Sequence, residues 1–242
     1  MPAIPTDARL PGSRRVAAWC VHLLTASGAL WGLLALLAAS RGALDRALGW
    51  MPLAVVVDGI DGPLARRLAV RRRVPTIDGA LLDNLVDYLN YAIVPAYVLH
   101  TSGLLPARLA LAGAATICLA SALQFAHVEA KTPDHRFRGF PSYWNVAVCY
   151  GLLLRPDPRL AAAVVGLLAL LSLAPVYFVY PTRTRRLRRL TLTLTALWAA
   201  CLAGLVWRFP AHSRGLAWAS LCFVLYYALL ARLRWRGDPA AA

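Results

Sequence analysis

Long apolar runs, broken by short arginine-rich stretches, fill this chain almost from end to end. Eight apolar segments can be drawn, at about 16–39, 47–65, 79–101, 107–128, 142–154, 160–180, 190–207 and 216–231. Most approach the roughly 20 residues that an α-helix needs to cross a bilayer. The second and fifth are the weakest, and the second is apolar only from Trp50 to Val57 before it turns polar at Asp58. The pattern predicts an all-α fold, a polytopic integral membrane bundle of about eight transmembrane helices.

Composition supports that class. The chain has 242 residues, of which 60% are hydrophobic, and a mean hydropathy of +0.57. A soluble domain is rarely so apolar. Arg14 and Arg15 precede an apolar run that is too long for the core of a secretion signal, so a retained first helix is expected.

The formal net charge of +15 raises a nucleic-acid reading, but the placement of the charge argues against one and no nucleic-acid partner is expected. With the N-terminus in the cytoplasm and eight spans, 19 of the 26 Lys and Arg residues fall on the inner side. That bias is how membrane proteins set their topology, and it places both termini inside. The cluster "TRTRRLRRL" (Thr182 to Leu190) reads as part of the same signal. It could also hold anionic lipid headgroups. The five cysteines all lie in apolar runs without metal-ligand spacing and read as small helix residues. His127 and His135 have no partner at metal-ligand spacing either.

Chemistry enters with "VVVDGIDGPLARR" (Val55 to Arg67) and "GALLDNLVD" (Gly79 to Asp87). Five of the eleven acidic residues lie between Asp58 and Asp87. Asp58 and Asp61 are three apart, Asp83 and Asp87 four apart, so each pair shares a helix face. Gly79 continues the second stripe one turn back. Ionised groups at the edge of a span are costly and usually functional. Converging carboxylates need protons or divalent cations between them, and hard oxygen ligands suit Mg²⁺ or Mn²⁺. Two such ions would seat a diphosphate. Gly62, Ala65 and Gly79 lack bulk where a ligand could approach, and Arg66 offers a planar cation to a phosphate oxygen. Asp78 reads as solvated or as the N-cap of the third helix.

These two stretches resemble the signature of the CDP-alcohol phosphatidyltransferases, D-x2-D-G-x2-A-R, a spacer, then G-x3-D-x3-D. Asp58, Asp61, Gly62, Ala65, Arg66, Gly79, Asp83 and Asp87 occupy its fixed positions. The spacer from Arg67 to Asp78 is longer than the family's usual one. In this respect, and in "VDYLNYAIVPAY" and "EAKTPDHRFRGFPSYWNV" (Glu129 to Val146), the chain resembles a bacterial, choline-using branch of the family.

The resemblance implies a six-helix core with two helices added, here residues 16–180 and 181–236 after a polar tail at 1–15. It implies transfer of the phosphatidyl group of CDP-diacylglycerol to choline with release of CMP, in the bacterial inner membrane and at its cytoplasmic face. Asp58, Asp61 and Asp83 would be metal ligands, and Asp87 both ligand and general base. Gly62, Ala65, Arg66 and Gly79 would hold the CDP diphosphate, and a homodimer is suggested.

A quaternary ammonium has no N–H, so aromatic faces or a carboxylate must recognise it. Tyr143 and Trp144 lead the candidates, followed by Tyr88, Tyr91 and Glu129. Other readings stay open. A relative using glycerol phosphate, serine or an inositol-type alcohol would share the motif. A membrane prenyltransferase would need a second Asp-rich motif, which the chain after Asp87 does not offer. A cation transporter would place its site nearer mid-membrane.

Overall fold

A computed structural model describes residues 12–127, 136–174, 177–179 and 188–232. Packing divides the chain after Val94 into two compact units.

The first unit is built on a hairpin of α1 (Gly12–Ser40) and α2 (Leu44–Arg67), which contact each other along their lengths. Gly42 turns the chain between them at a φ of +72°, a conformation that favours glycine. α1 begins at Gly12, and residues 1–11 lie outside the described residues. The long spacer is folded rather than looped out. It forms α3 (Val70–Arg73), and Val70 and Val74 bury against Ala18 and Val21 of α1, with Leu64, Ala65, Leu68 and Ile77 packed around them.

α4 (Gly79–Tyr88) starts at Asp78, whose Oδ1 accepts hydrogen bonds from the Ala80 and Leu81 N–H groups at 3.0 and 3.1 Å. That is the N-cap expected from the sequence. One turn of π-helix (Leu89–Ile93) follows, and α5 (Val94–Thr101) completes the run. Gly28 and Gly32 of α1 let this run approach closely. A Cβ on Gly28 would meet Val86 Cγ1 at 2.5 Å, and one on Gly32 would meet Asn90 Oδ1 at 2.7 Å. Small residues one turn apart serve this purpose at membrane helix interfaces.

The second unit takes in α5 from Pro95 on and holds α6 (Ala107–Ala126), α7 (Trp144–Leu154), α8 (Pro158–Leu173), α9 (Arg188–Trp207) and α10 (Arg214–Arg232). α6 packs on α8, and α10 on both α7 and α9. Polar contacts tie the last helices in. Trp198 Nε1 donates to the Tyr150 hydroxyl at 2.9 Å, Tyr150 shares a 2.7 Å hydrogen bond with Ser220, and Thr191 and Tyr226 pair at 2.9 Å.

One boundary needs correction here. The span drawn at 160–180 ends as a helix at Leu173, with Ala174 already extended at a ψ of 147°. Pro175 follows in the sequence, and the residue before a proline is driven out of the helical region. The fold is all-α as expected, with one short pairing of extended backbone beside the helices. Tyr177–Val179 forms a short strand, β2, antiparallel to β1 (Arg136–Arg138). The aromatic and β-branched run at Tyr177 to Val179 suits a strand.

Helices occupy all eight segments drawn from the sequence. Among the described residues, four are long and apolar enough to cross a membrane: Ser13–Ser40, Leu44–Arg67, Ala107–Ala126 and Arg189–Trp207. Leu23, Leu30, Leu111, Leu119, Leu170 and Leu197 are all exposed, which suits lipid as the surrounding medium.

Candidate active site

Three helices of the first unit supply the site. Asp58 comes from the polar end of α2, Asp83 and Asp87 from α4, and ligand oxygens of the three lie within 4.8 Å of one another. The i, i+4 spacing puts Asp83 and Asp87 on one stripe, and the close approach of α1 to α4 holds that stripe in place. Asp61 lines the same small cavity and is only 4% exposed. The four carboxylates of the sequence pattern therefore converge, with three in the tightest group.

The cavity is small and is completed by Thr25 of α1, Ala54 and Val57 of α2, and Val86, Asn90 and Tyr91. Three half-buried carboxylates this close repel one another, and a divalent cation relieves the repulsion while using their oxygens as ligands. The donor set fits a hard divalent ion.

Gly62 and Gly79 flank the cluster. A Cβ on Gly62 would crowd Arg66 Nη1 at 3.3 Å, so the arginine head lies close over that glycine, and Arg66 itself is exposed. A Cβ on Gly79 would meet His22 Cε1 at 3.2 Å. Ala65 packs towards the α1 and α3 core.

Family relationships agree with the geometry. The profile of the CDP-alcohol phosphatidyltransferases matches residues 20–206. The chain belongs to the CDP-alcohol phosphatidyltransferase family. It is 39% identical to the phosphatidylcholine synthase of Mesorhizobium japonicum over 198 residues, 79% of this chain and 74% of that one. It is 35% identical to that of Borreliella burgdorferi over 89% of this chain and 92% of the relative. With the phosphatidylcholine synthase of Legionella pneumophila it shares 38% identity, over 90% of this chain and 88% of that one. As a phosphatidyltransferase it is a membrane transferase, with CDP-diacylglycerol and an alcohol acceptor as its substrates.

The aromatic candidates are placed differently. Tyr91 lines the cavity, is 9% exposed, and donates its hydroxyl to Asp58 Oδ2 at 2.7 Å. Tyr88 is half-buried at the end of α4. Tyr143 is half-buried at the start of α7, in the second unit. Trp144 is 0% exposed and sits edge-on to Phe140, with ring centroids 5.4 Å apart. Its neighbour Ser142 donates to Gln124 Oε1 at 2.6 Å, so packing within the second unit accounts for much of this polar segment. Glu129 and His135 lie outside the described residues, and His127 follows the last turn of α6.

Sequence reasoning missed Thr25 and Asn90. Thr25 carries no local signal, because its place in the cavity depends on how α1 packs. Asn90 does carry one. It is an amide inside the apolar run "LNYAIV", and it is 6% exposed, donating from Nδ2 to Gly28 O and to Val86 O, both at 3.0 Å.

Proposed function

We infer that this chain is a phosphatidylcholine synthase, transferring the phosphatidyl group of CDP-diacylglycerol to choline and releasing CMP. The observation that carries the chemistry is the convergence of Asp58, Asp83 and Asp87 across two helices. The choline preference rests on the relatives, which carry that name at 35–39% identity.

In the proposed mechanism Asp58, Asp61, Asp83 and Asp87 are the residues that would hold two Mg²⁺ or Mn²⁺ ions, which would supply charge neutralisation for the diphosphate and for CMP as leaving group. Arg66 grips a phosphate oxygen, while Gly62, Ala65 and Gly79 leave the backbone open to the diphosphate. Asp87 accepts the proton of the choline hydroxyl as its oxygen attacks the phosphorus bonded to diacylglycerol. The bond from that phosphorus to the bridging oxygen breaks, and CMP leaves with the electron pair. Asp87 lies one turn beyond Asp83, a place from which it would orient the alcohol while sharing the metal site.

Choline recognition falls first to Tyr91, the aromatic that lines the cavity, then to Tyr88 and Tyr143. Trp144 and Glu129 stand behind them, the former because its ring is fully buried. The substrates suit a protein of the bacterial cytoplasmic membrane with its site facing the cytoplasm, where nucleotide and choline are soluble. A homodimer and the division into a core at 16–180 with added helices at 181–236 are part of the same reading.

The test is incorporation of radiolabelled choline by the purified protein with CDP-diacylglycerol, with and without chelator. Labelled lipid and equimolar CMP, both abolished by chelator, are expected. Consumption of serine or glycerol phosphate with choline ignored would overturn the substrate assignment.

A further inference from the structure

The π-turn at Leu89–Ile93 has a consequence for the acidic cluster. Asp83, Asp87 and Tyr91 are spaced by fours. In an α-helix each such step drifts by about 40° around the axis. The wider turn, closed by a hydrogen bond from the Val94 N–H to Leu89 O, offsets part of that drift and keeps Tyr91 on the carboxylate stripe. Single π-turns of this kind are frequent at functional sites.

The turn is fastened on two sides. Asn90 joins it to the backbone of α1 at Gly28 and to Val86 in the preceding turn. Tyr91 joins it to Asp58 of α2 through the 2.7 Å hydrogen bond to Oδ2. The tyrosine thus bridges the two helices whose carboxylates form the cluster. A short hydrogen bond to one carboxylate oxygen restricts rotation of that carboxylate, and Asp58 is the sole member of the three-residue group contributed by α2.

We propose that Tyr91 is a positioning residue for the metal site. Its hydroxyl holds the Asp58 carboxylate facing Asp83 and Asp87, and its ring walls the cavity where the acceptor would sit. This rests on the metal-dependent reading above. Groups that orient metal ligands typically contribute about 10–100-fold to metal affinity. Tyr91→Phe keeps the ring and removes the hydroxyl, so the two roles separate.

The experiment measures Mn²⁺ binding to the full-length chain in nanodiscs, by the electron paramagnetic resonance signal of free Mn²⁺. The Mn²⁺ dependence of the melting temperature serves as a second readout. Wild type, Tyr91→Phe and Asp58→Asn are compared. Tyr91→Phe should need about 10-fold or more Mn²⁺ for half-saturation in both readouts. The melting readout works even if the variant is less stable, because it follows the shift with added ion. Equal Mn²⁺ affinity in wild type and Tyr91→Phe would overturn this proposal alone. Absence of Mn²⁺ binding by wild type, or full binding by Asp58→Asn, would overturn the metal reading and this proposal with it.

Discussion

Two regions of this protein gather polar side chains among apolar helices, and they do so in opposite ways. In the second unit Tyr150, Trp198 and Ser220 satisfy one another, donor against acceptor. In the first, Asp58, Asp83 and Asp87 bring like charges together within 4.8 Å. The first arrangement is complete without a ligand and fastens α9 and α10 to α7. The carboxylates of the second cannot pair with one another, because ionised carboxylates only accept hydrogen bonds. A polar group buried with its partner reads as structure. Like charges held together by the fold read as a site awaiting a cation.

The contrast can be broken by substitution. Asp87→Asn should lower turnover by about 10²–10⁴-fold, the usual contribution of a general base, while nucleotide binding and melting temperature persist. Steady-state CMP release checks it, and near-normal turnover would remove Asp87 as the base. Tyr150→Phe should do the reverse. It leaves Trp198 and Ser220 without their shared partner and should cost about 1–3 kcal/mol of stability, read as a lower melting temperature at unchanged kcat. If its activity fell instead at full stability, the satisfied network would belong to the catalytic machinery and the contrast would fail.

Gly28→Ala lies between these cases. Its Cβ would stand 2.5 Å from Val86 Cγ1, pushing α1 away from the helix that carries the aspartates. About 1–3 kcal/mol of stability should be lost to overpacking, with a parallel loss of activity. Smallest of all, Asp78→Ala removes two hydrogen bonds from the α4 N-terminus and should cost about 1 kcal/mol with little change in KM. A thermal melt with paired kinetics separates the two.

The same contrast explains what could be read from sequence. The carboxylate stripe was legible because spacing by threes and fours on a helix fixes which side chains share a face, and because charge is rare in apolar chain. The N-cap at Asp78 was legible for a similarly local reason. Thr25 was not, since its place in the cavity is set by packing between helices. The π-turn was not, since no local spacing in the sequence marks it; Asn90 within it bonds to α1 at Gly28 O, a contact set by packing. The strand at Tyr177–Val179 escaped because its residues are as apolar as a span, and only Pro175 marks the helix end. Trp144 drew notice as an aromatic in a polar segment, a position that burial against Phe140 explains equally well.

The most direct measurement is anomalous diffraction at the manganese edge from crystals grown with Mn²⁺ and CMP. The account predicts density for Mn²⁺ between Asp58, Asp83 and Asp87, at about 2.0–2.3 Å from their oxygens, with the CMP phosphate on the same ions. Anomalous density elsewhere, with these three carboxylates turned apart and CMP bound away from them, would contradict it.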